Sequence, residues 1–156
     1  MSEFLQWCHD NALSEFMRSA KWPFPTVEIF HIAGLILIFG SVLVLNLRIF
    51  GRILRQEPVP QVAAGLSPLT AVGLAAQVVS GPVLFMTSAM RFSESTPFRL
   101  KLLFLLVALT YHYGVHRRFA LDPAVPAHTL RVSAVVSMLL WISVVLAGFA
   151  IELLSG

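Results

Sequence analysis

HIAGLILIFGSVLVLNLRIFG, residues 31–51, is the stretch whose reading decides the fold. From Ile29 to Leu47 there is no charge, and the strongly polar side chains are His31, Ser41 and Asn46. An apolar run of this length spells a bilayer-crossing helix, here with an imidazole inside it. Helical spacing places His31, Gly34, Ile38, Ser41 and Val42 on one face. Small residues beside a ring nitrogen let a flat cofactor, or another helix, come close to the backbone.

The rest of the composition agrees. Of 156 residues 57% are hydrophobic and 12% charged, and the mean hydropathy is +0.81. That suits a single membrane domain over residues 1–156 rather than a water-soluble sphere. The formal charge of +3 does not signal nucleic acid, because the basic residues flank apolar spans instead of forming a patch or arm. The one cysteine, Cys8, excludes an internal disulfide, a CxxC metal motif and CxxCH haem attachment. Glu3, Asp10 and Glu15 interrupt the N-terminal segment, so no cleavable signal peptide is expected and the first span directs insertion.

The pattern predicts an all-α fold, an integral membrane four-helix bundle preceded by an interfacial amphipathic helix. Residues 2–20 form that helix, with Phe4, Trp7, Cys8, Ala12, Phe16 and Ala20 near one stripe, lying among lipid headgroups or packed on the bundle as a lid. Transmembrane helices are expected at 26–50, 69–87, 98–116 and 130–152. Pro58, Pro60 and Pro68 read as a loop between the first two. The second span has a small and polar face, Gly73, Gln77, Ser80 and Gly81, and a kink at Pro82. Four spans put both termini on one side. Arg48, Arg52, Arg55, Arg117, Arg118 and Arg131 lie at one end, against Arg18, Lys21, Arg91, Arg99 and Lys101 at the other. Six basic residues against five point both termini outward.

On this topology His31 lies about 10 Å outside the midplane, and His112 lies on the inner side. Two imidazoles binding one iron come within about 4 Å of each other. His31 and His112 therefore belong to two stacked sites, or to sites completed by a neighbouring subunit. The outer site draws on His31, Gly34 and Ser41, with Met86 or His9 as second ligand and Lys21, Arg91 or Lys101 for haem propionates. The inner site draws on His112, His116 and His128, with Arg117, Arg118 or Arg131 for propionates. His112 and His116, four apart, also suit a small metal ion. Each candidate has a plainer alternative. His31 would serve as a hydrogen-bonding strut or proton relay with Glu28. His116 and His128, among arginines, would be surface histidines, His9 an interfacial one, and the glycines, serines and methionines packing residues.

His31-x-x-Gly34, Phe39-Gly40-Ser41, Leu47-Arg48-x-x-Gly51, Ser80-Gly81 with Leu84-Phe85, Pro97-Phe98-x-x-Lys101-Leu102-Leu103 and His116-Arg117 together resemble an uncharacterised bacterial family of small four-helix inner-membrane proteins. That family is distantly similar to the copper resistance protein D superfamily, and the architecture is similar to di-haem transmembrane cytochromes b. The resemblance covers about residues 22–118 and has no activity to transfer. It implies a bacterial inner (cytoplasmic) membrane location, and the charge bias above then makes both termini periplasmic.

The leading expectation is a membrane haem-b protein, with as many as two haems per subunit, passing electrons to an unidentified redox partner. It is an electron carrier rather than an enzyme, since the spans hold no carboxylate pair, Ser-His-Asp set or phosphate loop. One alternative is a copper or small-solute transport component using Cys8, His9, Met17, Met86 and Met90. The other is an oligomeric structural membrane protein without cofactor. Besides the lipid bilayer, a second copy of the chain is an expected partner, because glycine and serine occupy more than one helix face.

Overall fold

The computed structural model describes residues 2–154, and all regular structure among them is helical. Four helices are long and apolar enough to cross a membrane: Pro23–Ile49, Val59–Thr87, Thr96–Leu121 and Ala127–Ile151. We label the elements α1 (Ser2–Asp10), α2 (Ala12–Ser19), α3 (Pro23–Ile49), α4 (Val59–Thr87), α5 (Ala89–Glu94), α6 (Thr96–Tyr111), α7 (Arg117–Leu121) and α8 (Ala127–Leu154). A π-helical turn, His112–His116, joins α6 to α7. The long helices pack as two close pairs, α3 on α4 and α6 on α8, and α3 also meets α8. This arrangement is compatible with the expected four-helix bundle.

The N-terminal segment is two helices, not one. Asn11 breaks it: Oδ1 accepts the Ser14 N–H at 2.9 Å as the N-cap of α2, and Nδ2 donates to the Cys8 carbonyl at 2.7 Å. Asparagine satisfies loose helix ends well, so it starts a new helix more readily than it continues one. The expected stripe is split as a result. Cys8, Ser14 and Met17 are buried, whereas Phe4, Trp7 and Phe16 point outward.

The helix α3 ends where its sequence predicts. Gly51 adopts φ +68, its N–H donates to the Arg48 carbonyl, and the Arg52 N–H donates to Leu47. This Schellman closure favours glycine because a Cβ in left-handed backbone is strained. Arg48 and Arg55 then tie the loop down by donating to the Glu57 and Gly51 carbonyls, each at 2.7 Å.

The helix α4 starts ten residues before its expected boundary. Pro58 is its N-cap and Pro60 lies in its first turn, where the missing N–H would have had no intrahelical partner. Pro68 and Pro82 lie inside the helix, which continues past both. At the other end Ser95 caps α6 through the Phe98 N–H. Phe98 stacks between Phe85 and Phe92, with centroids 5.5 and 5.2 Å apart.

Two apolar clusters form the interior. Ile38, Val42, Ala108, Trp141 and Val144 pack at mid-height. Leu45, Ile49, Ala63, Ala120 and Ala134 pack toward the arginine-rich end. The outward faces are also apolar: Ile29, Phe30, Ile36, Val79, Leu106 and Phe149 are all exposed.

Candidate functional site

Two polar clusters interrupt this apolar interior, a half-buried one around His31 and a buried one around His112 and His116. Lys101, which belongs to the first, precedes His112 by eleven residues, or about 16 Å along a helix.

His31 projects from the first third of α3 toward α4 and α6. Its Nδ1 lies 2.8 Å from Ser80 Oγ, and its Nε2 lies 3.4 Å from Lys101 Nζ. Gln77 Nε2 donates to the His31 carbonyl, and the ring edge rests against Gly81, where a Cβ would stand 3.6 Å from Cε1. The hydrogen-bond network assigns the tautomer. The one hydroxyl proton of Ser80 is committed to the Ala76 carbonyl, so Ser80 accepts and His31 Nδ1–H donates. That leaves the Nε2 lone pair facing Lys101. A histidine held this way, with one nitrogen anchored by a donated hydrogen bond and the other presenting a lone pair, has the arrangement found in metal ligands.

The helix crossing beside it is tight. A Cβ on Gly34 would meet the Gly73 carbonyl at 3.0 Å and Ala76 Cβ at 2.9 Å, and one on Gly73 would meet the Gly34 carbonyl at 2.7 Å. The notch at Gly34 is thus filled by α4 and gives no clearance for a porphyrin, which corrects its expected cofactor role. Ser41 is buried and donates to the Leu37 carbonyl at 2.6 Å. It faces the His112 cavity rather than His31. Arg91 sits exposed on α5, and it is Lys101 that reaches the imidazole.

The second cluster is built by the π turn, whose wider spiral turns both histidines inward. His112 is 5% exposed and His116 is 0% exposed, so His116 is a core residue and not the expected surface histidine. Its Nδ1 meets Ser133 Oγ at 3.1 Å, and Tyr111 donates to the same oxygen at 3.1 Å. The two imidazole centroids are 5.9 Å apart, and Trp141 stands edge-on to His112 at 6.4 Å. His128 is exposed beside Thr129 and takes no part. Arg117 Nε donates to Ser67 Oγ at 3.1 Å. Ser67, Thr70, Ser41, His112 and Arg117 line a cavity of about 10 Å³. A space that size holds about one water and no porphyrin, so the residues at the inner site do not fit haem. Six buried side-chain atoms here have no hydrogen-bond partner among the described residues: Asn46 Nδ2 and Oδ1, His112 Nδ1, His116 Nε2, Ser137 Oγ and Trp141 Nε1. Each would cost about 1–3 kcal/mol if left unsatisfied.

Ser133, Ser137 and Trp141 are not among the expected site residues, although their four-residue spacing is a polar stripe within an apolar span. Ser80 and Gln77, expected only as a polar face of the second span, are the partners of His31. The soft ligands near the N-terminal end are not assembled into a centre. Cys8 and Met17 are buried and Met90 is exposed, and no group of three His, Cys, Asp or Glu that could hold a metal occurs among the described residues. A groove of about 490 Å³ between α6 and α8 is lined by residues such as Leu100, Phe104 and Leu146, and none of the candidate ligands lines it.

Fold and site therefore define a small all-helical protein with four long apolar helices and two separate polar clusters, one around His31 and one around His112 and His116. A family model matches residues 12–153, and the chain belongs to that family, DUF6644, a family of unknown function. No curated protein and no solved structure matches the chain.

Proposed function

We propose that the protein crosses the bacterial cytoplasmic membrane four times, with both termini on the periplasmic side, and binds one haem b through His31 as an electron carrier. Insertion is supported by the apolar outward faces of all four long helices. Each large apolar side chain moved from water into lipid gains about 1.5–3 kcal/mol. The orientation rests on the arginines at the loops after α3 and α7. Gly65 has open space where a Cβ would sit, which supports a homo-oligomer packed through a small-residue notch.

The observation that carries the haem reading is the Ser80 anchor, which fixes His31 as an Nδ1–H donor, so that its Nε2 lone pair, which faces Lys101 Nζ at 3.4 Å, opens to a ligand when the lysine turns to a propionate. Haem bound there would supply one-electron chemistry. In this chain His31 is the ligand, Ser80 sets its tautomer and ring orientation, Gln77 holds its backbone, and Lys101 is the cation for a propionate. Of the one or two haems expected, this reading takes one, at the outer cluster, because the cavity beside His112 measures about 10 Å³. In the competing reading His31 is a clamp without a cofactor, supported by its joining α3 to both α4 and α6.

An absorption spectrum of detergent-purified protein from haem-replete cells, oxidised and then reduced, separates the two readings. A Soret band is expected, lost in His31→Ala and retained in His112→Ala. Ser80→Ala should weaken haem affinity about 10- to 100-fold, the usual effect of losing a partner that orients a metal ligand, with Ser80→Thr restoring it. Absence of the band, or its survival in His31→Ala, refutes the haem reading and leaves the clamp.

A further inference from the structure

The inner cluster has its own chemistry, independent of what His31 binds. His112, His116, Ser137, Trp141 and Asn46 bury polar atoms that no other described group satisfies. Leaving all of them bare would cancel the stability of an ordinary domain. The donors and acceptors on the page identify what satisfies them. Trp141 Nε1 can only donate, so its partner must offer a lone pair, and a bare cation cannot. In the adjoining cavity the hydroxyl protons of Ser41, Ser67 and Thr70 are committed to the Leu37, Ala63 and Leu66 carbonyls. Their oxygens can act only as acceptors, which disfavours an anion. Arg117, donating to Ser67, disfavours a second cation. The species that both donates and accepts is water, of which the 10 Å³ cavity beside His112 admits about one.

We propose that the arginine-rich half of the bundle interior is a hydrated proton-access site, in which water joins the Arg117–Ser67–Thr70 cavity to the imidazoles of His112 and His116. The π turn serves this purpose: it presents both rings to one buried face, with Ser133 holding His116 Nδ1 and leaving Nε2 to the water. The water ends at the crossing of α3 and α4. There the Gly34 and Gly73 backbones stand too close to admit even a methyl group without displacement. Above that crossing the polar stripe of α4 resumes at Gln77 and Ser80, whose partners belong to His31. Protons exchanged by His112 and His116 therefore come from the arginine-rich end.

The three tryptophans make the test direct. Full-length protein labelled with ¹⁵N-tryptophan in lipid nanodiscs gives three indole signals. Trp7 and Trp22 are exposed and exchange at once, whereas Trp141 is 0% exposed. In a hydrated interior the Trp141 indole proton shows a water cross-peak and exchanges with D2O at least 100-fold faster than the backbone amides of Ile38 and Val42. Thr70→Leu, which fills the cavity, slows Trp141 exchange at least tenfold and leaves Trp7 and Trp22 unchanged. Ser67→Ala, which opens the cavity, keeps exchange as fast as in the parent protein. A Trp141 indole protected for days in the unsubstituted protein, with no water cross-peak, overturns the proposal whatever the variants do. So does fast exchange that Thr70→Leu fails to slow. Because no haem enters the measurement, either result stands apart from the spectrum that tests His31.

Discussion

Gly73→Ala puts a number on the crossing of α3 and α4. The added methyl would lie 2.7 Å from the Gly34 carbonyl oxygen, 2.8 Å from Ile38 Cγ1 and 3.0 Å from Leu37 Cβ. A carbon settles against a carbonyl oxygen at about 3.3 Å or beyond, so the two backbones must part by roughly half an ångström. Overpacking of this kind costs about 1–3 kcal/mol. The upper part of that range applies, because the closest contact is backbone and cannot rotate away. Against it stands the gain of up to about 1 kcal/mol for replacing glycine by alanine within a helix. The net expectation is a loss of about 1–2 kcal/mol. Gly40 lies on the same helix as Gly34 but has nothing within 4 Å of its Cβ position. Gly40→Ala should keep the helix gain and stabilise by about 0.5–1 kcal/mol. Reversible unfolding in mixed micelles, followed by far-ultraviolet circular dichroism, compares the two variants. If Gly73→Ala proves as stable as Gly40→Ala, the close crossing, and with it the dry barrier between the histidine clusters, is refuted.

Asn11→Ala removes the N-cap of α2 and the bond to the Cys8 carbonyl, so the α1–α2 unit should lose about 1 kcal/mol. Faster limited proteolysis near residue 11, with the four long helices left intact, would register the loss; unchanged cleavage would contradict it. In a Cys8→Ser background, an impermeant maleimide applied to intact cells should label a cysteine placed at Ser95 and spare one at Gln61. The reverse labelling inverts the proposed orientation.

The parts of the fold that the sequence made legible are those set by local spacing. Of the face His31, Gly34, Ile38, Ser41 and Val42 read from the 3.6-residue period of α3, the last four are buried and His31 is half-buried. The four long apolar helices likewise follow from run length alone. The first ten residues of α4 read as loop when prolines are treated as breakers, although two of the three are helix starters by position. His116 was misplaced because a π turn shifts the helical phase by one residue, and no composition signal marks where such a turn falls. The pairing of His31 with Lys101 joins residues 70 positions apart. It depends on which helices become neighbours, which no periodicity within one span can report. The same holds for Gly34. Its small size is equally consistent with a cofactor face or a helix crossing, and only the register of Gly73 against it decides.

The two partners of the His31 ring come from different helices, and that sets an order of assembly. A chain emerging N-terminus first forms α3 and α4 before α6 has been synthesised. The Ser80 anchor can therefore orient the imidazole while its Nε2 is still uncovered. Lys101 arrives only with the next helix and closes over it. The Nε2 of His31 thus has its most open approach before α6 is in place, and the finished bundle shields it behind Lys101.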